Sequence, residues 1–195
     1  MVMPPYYTGT ARDEPPEDQM PEAAIITAPV LRARDEGDRR AYLGNLVDWR
    51  LQGHETDGAI AIFEALIRAG GEPPIHVHER EDEVFHVLQG EMTFVCGGRE
   101  IHAGPGATAF LPRGLPHGFR VDTEVARVLC VMTPAGLEPS FHAFSEPSPG
   151  RDLPPPPAHL DVEALTRALA DHGVTIVGPP PSAPGWGAEM TAGLA

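Results

Sequence analysis

Lysine is missing from the 195 residues: all 14 basic side chains are arginine. A lysine Schiff base is thereby excluded as a catalytic device. Positive charge as a whole is scarce, 14 basic residues against 28 acidic ones, for a formal net charge of −14. Phosphate backbones need a basic face, so the composition speaks against nucleic acid as a partner. Cysteine occurs only as Cys96 and Cys130, too few for a disulfide scaffold and consistent with a reducing, cytoplasmic setting. Long apolar runs are lacking too. The stretch Ala23 to Thr27 is short, and nothing approaches the ~20 residues of a membrane span or resembles a secretion signal, so no membrane partner is expected.

What the chain has in abundance is proline, unevenly spread. Five prolines fall in residues 1–22, ten in 147–184, and eight in the 124 residues between Ala23 and Glu146. This predicts three regions: a proline-rich acidic arm over 1–22, one folded domain over 23–146, and a proline-rich tail over 147–195. The arm is too polar and kinked to pack by itself, and either moves freely or lies across a partner subunit. In the tail, Val162, Leu165 and Leu169 share one helical face between Asp161, a candidate N-cap, and Gly173, a candidate stop. A short helix is expected over 161–172, followed by an extended piece from Val174 to Val177. The tail reads as a brace on the outside of the domain, with a lid as the alternative.

The central region shows no sustained helical stripe. Short apolar runs alternate with breakers such as Gly70-Gly71, Pro73-Pro74, Gly97-Gly98 and Gly104-Pro105-Gly106, which predicts an all-β barrel, sandwich or jelly roll. Expected strands run from Tyr42 to Leu51, Ala59 to Ile67, Ile75 to His78, Val84 to Leu88, Met92 to Cys96, Glu100 to His102, Thr108 to Leu111, Gly118 to Val121 and Ala126 to Met132.

Chemistry concentrates between Gly70 and Gly90. His76 and His78 stand two apart, which in a strand places both imidazoles on one face. Glu83 has the wrong parity for the same strand, so the polar stretch Glu79-Arg80-Glu81-Asp82 must turn and return the carboxylate on the next strand. His117, after Pro112-Arg113-Gly114, is swung toward the same cavity by the Pro-Gly turn. Three imidazoles and a carboxylate suit iron, manganese, nickel, cobalt or zinc, and the absence of thiolate argues against a zinc finger.

These residues resemble the cupin superfamily. Gly70, His76, His78, Glu83 and Gly90 meet its first motif, G-x5-H-x-H-x4-E-x6-G. Gly106, Pro112, Gly114 and His117 meet its second, G-x5-P-x-G-x2-H-x3-N, except that Val121 stands where the family commonly has asparagine. The resemblance implies a single cupin β-barrel of the jelly-roll type. It also implies one divalent transition metal per chain (Fe, Mn, Ni, Co or Zn) on His76, His78, Glu83 and His117, and a homodimer. Within the superfamily the single copy and the run Asp82 to Gly90 look most like bacterial quercetin 2,3-dioxygenase-like monocupins. That likeness implies a small-molecule substrate, a flavonol or related enolisable aromatic compound, with Glu83 as the catalytic base. A metal-dependent isomerase, cyclase or decarboxylase of secondary metabolism, or a small-molecule-binding cupin without catalysis, stands as the alternative.

Phe85 and Phe119 share inward parity with Glu83 and His117, and either line a substrate pocket or belong to the core. The same parity sends His86 outward. His54, His102, His142, His159 and His172 read as surface residues, Cys96 and Cys130 as buried structural thiols, and Glu79, Glu81 and Asp82 as a solvated turn.

Overall fold

A computed structural model describes residues 29–183; the arm over 1–22 and the end of the tail lie outside them. Twelve strands and two helices follow one another: β1 (Asp38–Tyr42), β2 (Asn45–Leu51), β3 (Ala61–Arg68), β4 (His76–His78), β5 (Asp82–Gln89), β6 (Met92–Cys96), β7 (Arg99–Ala103), β8 (Thr108–Leu111), β9 (His117–Val121), β10 (Val125–Thr133), α1 (Glu138–Ala143), β11 (Ser145–Pro147), α2 (Val162–Asp171) and β12 (Val174–Ile176). They form a seven-stranded sheet ordered β11-β1-β2-β3-β10-β5-β8 and a five-stranded sheet ordered β12-β4-β9-β6-β7. Every strand pair is antiparallel.

Alternation explains why these segments pair face to face. In β3, β5 and β10 every second residue is buried, the pattern of a sheet with one face on a core. Phe63, Phe85 and Cys130 point inward from the large sheet to meet Phe94 and Phe119 of the small one. The rings of Phe85, Phe94 and Phe119 lie 5.4–6.0 Å apart, two of the three pairs edge to face. At the other side of the core Trp49, wholly buried, packs on Phe63 at 4.9 Å and on Phe141 of α1 at 5.5 Å.

Gly90 shows why a motif glycine sits at the end of β5. Its φ is +81°, and a Cβ there would stand 2.6 Å from the Val125 carbonyl oxygen and 2.9 Å from Ala126 Cα. Backbone cannot yield as a side-chain tip would, so both torsion and space demand glycine.

Three features depart from the sequence expectation. Strands β1 and β11 and helix α1 lie outside the expected elements. The tail is more than an external brace: α2 begins at Asp161, whose carboxylate accepts from the Ala164 N–H at 2.9 Å, and ends at Gly173 with φ +81°. The chain then enters the small sheet as β12, pairing Val174 with His78 and Ile176 with His76. Buried Glu72 secures the segment beyond β12, accepting from the Val121 N–H at 2.9 Å and from the Ser182 hydroxyl at 2.8 Å. The backbone at the unusual Val121 is thus held by a carboxylate.

Candidate metal centre

His76 and His78 lie on β4, Glu83 on β5 and His117 at the start of β9, with His76 directly opposite His117 in the sheet. The polar turn after β4 lets β5 cross to the facing sheet, so the carboxylate looks back at the imidazoles. Gly114, at φ +78°, bends the incoming loop and donates its N–H to the His78 carbonyl at 2.8 Å. The two halves of the site are thereby stapled together. One ligand atom from each of the four residues falls within 4.8 Å of all the others. His78, Glu83 and His117 are 1%, 7% and 0% exposed, and His76 is half-buried.

The imidazoles are oriented from behind. His76 Nδ1 donates to the Pro74 carbonyl and His117 Nδ1 to the Leu115 carbonyl, both at 2.8 Å. A carbonyl oxygen only accepts, so each Nδ1 carries the proton and each Nε2 turns its lone pair inward. His117 Nε2 is buried without a hydrogen-bond partner although Glu83 Oε2 lies 3.3 Å away. That approach is a hydrogen bond only when His117 is doubly protonated. In the neutral form two acceptors face each other, an arrangement a cation between them relieves. His78 Nε2 also looks toward Glu83 Oε2, at 3.9 Å. This donor set, three nitrogen lone pairs and one carboxylate, fits a first-row divalent metal.

Protonation follows from burial. Burial, reinforced by the neighbouring His117 and His78, drives the His76 imidazole down to about 4 against the pull of Glu83. Burial alone would raise Glu83, but the His117 contact and the charges of His78, His117 and His76 hold it down at about 2. For His78 burial acts downward, yet the Glu81 contact and the charges of Glu83 and Glu81 outweigh it and raise the ring. Below the ordinary imidazole value of 6.5 the unfolded chain takes up a proton that folded His76 refuses, so stability is lost as pH falls from 6.5 to about 4. Glu83 adds a loss between 4.5 and about 2, whereas His78, raised in the fold, adds stability as pH falls toward 6.5 and nothing further below it. Metal-free protein is expected to melt at a lower temperature at pH 4.5 than at pH 7, with a smaller difference in His76→Asn. Equal differences in the two proteins would show that His76 does not carry the effect.

Phe85 and Phe119 point inward as their parity requires, 4% and 7% exposed. His86 faces out and bonds the Thr108 hydroxyl at 2.9 Å. His54, His102 and His159 are exposed, but His142 and His172 are half-buried: the first lies 3.3 Å from Asp38 and the second caps the Ala168 carbonyl at 2.8 Å. Cys96 is half-buried, being at the end of a strand. Cys130 is fully buried, and its thiol stands 3.9 Å from Glu83 Oε1, a neighbour that strand spacing alone does not disclose. Glu81 is a correction: 1% exposed, it is no part of a solvated turn. Two cavities among the described residues lie elsewhere. One of about 190 Å³ is lined by Arg39, Asp48, Glu64 and Arg127, the other of about 490 Å³ by Gln52, His54, Gly136 and Glu138.

Comparison with known proteins turns on the segment that spans β3 to β10, since residues 63–132 match the cupin domain family. The fold is the cupin jelly roll. The two sheets form it, and β1, β2, β11, β12 and both helices lie outside the matched residues. Over 151 residues, 77% of its length, the chain is 26% identical to a quercetin 2,3-dioxygenase of Bacillus subtilis (strain 168), and spans 44% of that enzyme's length. Among solved structures the polyketide cyclase RemF from Streptomyces resistomycificus is 26% identical, with a TM-score of 0.46 over 54% of this chain and 80% of that one. The nucleoside dehydratase Pac13 of Streptomyces is 12% identical, with a TM-score of 0.47 over 62% of this chain and 92% of that one. Among the described residues no helix is long and apolar enough to cross a membrane.

Proposed function

We propose that this cupin is a metal-dependent dioxygenase that opens a flavonol or a related enolisable aromatic compound with dioxygen. The observation that carries the reading is the convergence of His76, His78, Glu83 and His117, with two of the three imidazoles held on backbone carbonyls so that Nε2 faces the centre. The likeness to a quercetin 2,3-dioxygenase supports the choice of substrate class. His76, His78, Glu83 and His117 would hold a divalent metal, which would supply Lewis acidity toward a substrate oxygen. Glu83, ionised at neutral pH, accepts the enol proton. Phe85 and Phe119, two residues beyond Glu83 and His117 on the same inner faces, form the apolar floor against which an aromatic ring rests.

A homodimer in the cytoplasm completes the proposal. Leu51, Ile62, Val131, Val84 and Phe110 stand side by side in one register row across five strands of the large sheet, on its outer face, and Phe110 is 58% exposed. Sedimentation velocity of the intact protein reads the association directly.

The function is tested by dioxygen consumption in protein loaded separately with iron, manganese, cobalt or nickel and given quercetin. Uptake with at least one metal is expected, with near-complete loss in His76→Ala. No uptake with any loaded form sinks the flavonol reading in favour of isomerase, cyclase or decarboxylase chemistry, or of binding without turnover.

A further inference from the structure

Resting on that metal-centre reading, we infer that Glu81 is a positioning residue that sets the tautomer and orientation of His78. Two of the three imidazoles are anchored at Nδ1 by backbone carbonyls. His78 has no such anchor. Its Nδ1 faces Glu81 Oε2 at 3.4 Å, three residues on and across the turn between β4 and β5. The Glu81 side chain is 2% exposed. A buried carboxylate is costly unless a partner compensates, and His78 is the imidazole within reach.

Chemistry explains why a carboxylate serves here. It accepts hydrogen bonds and does not donate them, so it selects the His78 form with the proton on Nδ1 and the lone pair on Nε2. Nε2 is the atom that looks toward Glu83. A carboxylate behind an imidazole also increases the basicity of the ring's other nitrogen and fixes the ring plane, which strengthens the bond to a metal. The His78 backbone is fixed independently, by the Gly114 N–H on its carbonyl, so what Glu81 adds concerns the ring. The carboxylate is itself held in place from outside. A Cβ on Gly136 would stand 3.7 Å from Glu81 Oε1, so the loop after β10 closes over it, and Arg80 Nε lies 4.0 Å away.

The test uses cobalt(II) as the probe, on the full chain, with Glu81→Gln, Glu81→Leu and Glu81→Asp. Glutamine keeps the shape, but its amide can turn an N–H toward Nδ1 and so favour the proton on Nε2. Cobalt affinity, from competition titration, is expected to fall about 10–100-fold in the Gln and Leu variants and to recover in part in Asp. In metal-free protein, ¹⁵N spectra of the histidine rings are expected to show Nδ1–H at His78 in the unsubstituted chain. They are expected to show Nε2–H in Glu81→Gln, with His76 and His117 unchanged. Unaltered cobalt binding and an unaltered His78 pattern in Glu81→Gln overturn the inference and leave the metal centre standing. Failure of the unsubstituted chain to bind cobalt overturns both. A neutral His78 ring with its proton on Nε2 and none on Nδ1 in the unsubstituted chain overturns the inference even where no variant folds.

Discussion

Glu83→Gln is expected to lower turnover of an enolisable substrate by about 10²–10⁴-fold, the usual contribution of a positioned base. Glutamine matches the shape of glutamate and removes the oxygen that can take a proton. Folding is expected to tolerate the change, because the variant buries an amide in place of a carboxylate that is 7% exposed. Two readouts separate the roles of Glu83. Metal content, measured directly, reports its contact with the ion, whereas turnover at full metal occupancy reports proton transfer. A fully loaded variant that turns over at the unsubstituted rate would falsify the base assignment and leave Glu83 as a ligand alone. The thiol of Cys130 at 3.9 Å from Glu83 Oε1 is the weaker neighbour, and its burial pushes it well above the ordinary thiol range. It stays neutral and cannot replace the carboxylate as a proton acceptor.

Trp49→Ala is expected to destabilise the fold by about 3–5 kcal/mol, the range for truncating a buried large aromatic side chain. The indole is 0% exposed and meets Phe63 and Phe141 edge to face. Phe141 in turn stacks on Tyr42 at 4.5 Å. The indole therefore joins β2, β3 and α1, with Phe141 carrying the contact on to β1, and truncation leaves a void between three elements. Trp49→Phe is expected to cost clearly less. The indole N–H is buried without a hydrogen-bond partner, so its removal sacrifices no bond. Urea unfolding of the two variants checks the order. An alanine variant within about 1 kcal/mol of the parent would mean that α1 moves in to fill the space, which the stacked Tyr42–Phe141 pair opposes.

The barrel was legible because its inner strands obey period two over seven or more residues, as β5 and β10 do. The clustering of the candidate residues was legible because parity works within a strand: His76 and His78 share a face whatever the rest of the chain does. Edges were not. Strand β1 reads Asp-Arg-Arg-Ala-Tyr, without alternation, and exists because β2 lies on one side and β11, more than 100 residues later, on the other. Glu81 was hidden by its company, for its neighbours Glu79 and Arg80 are exposed. Among its neighbours is the loop at Gly136, 55 positions away in the chain, and local composition carries no trace of such proximity. The nearness of Cys130 to Glu83 likewise comes from the register of β10 on β5, which sets Cys130 opposite Phe85 and Met132 opposite Glu83.

Strand β4, three residues long, is flanked by β9 and by β12. The side chains His76 and His78 are synthesised well before the second neighbour of their strand, which arrives only with residues 174–176. Assembly of the centre thus runs against the order of synthesis. A nascent or prematurely terminated chain can hold all four donor side chains and still lack the rail on which two of them are aligned.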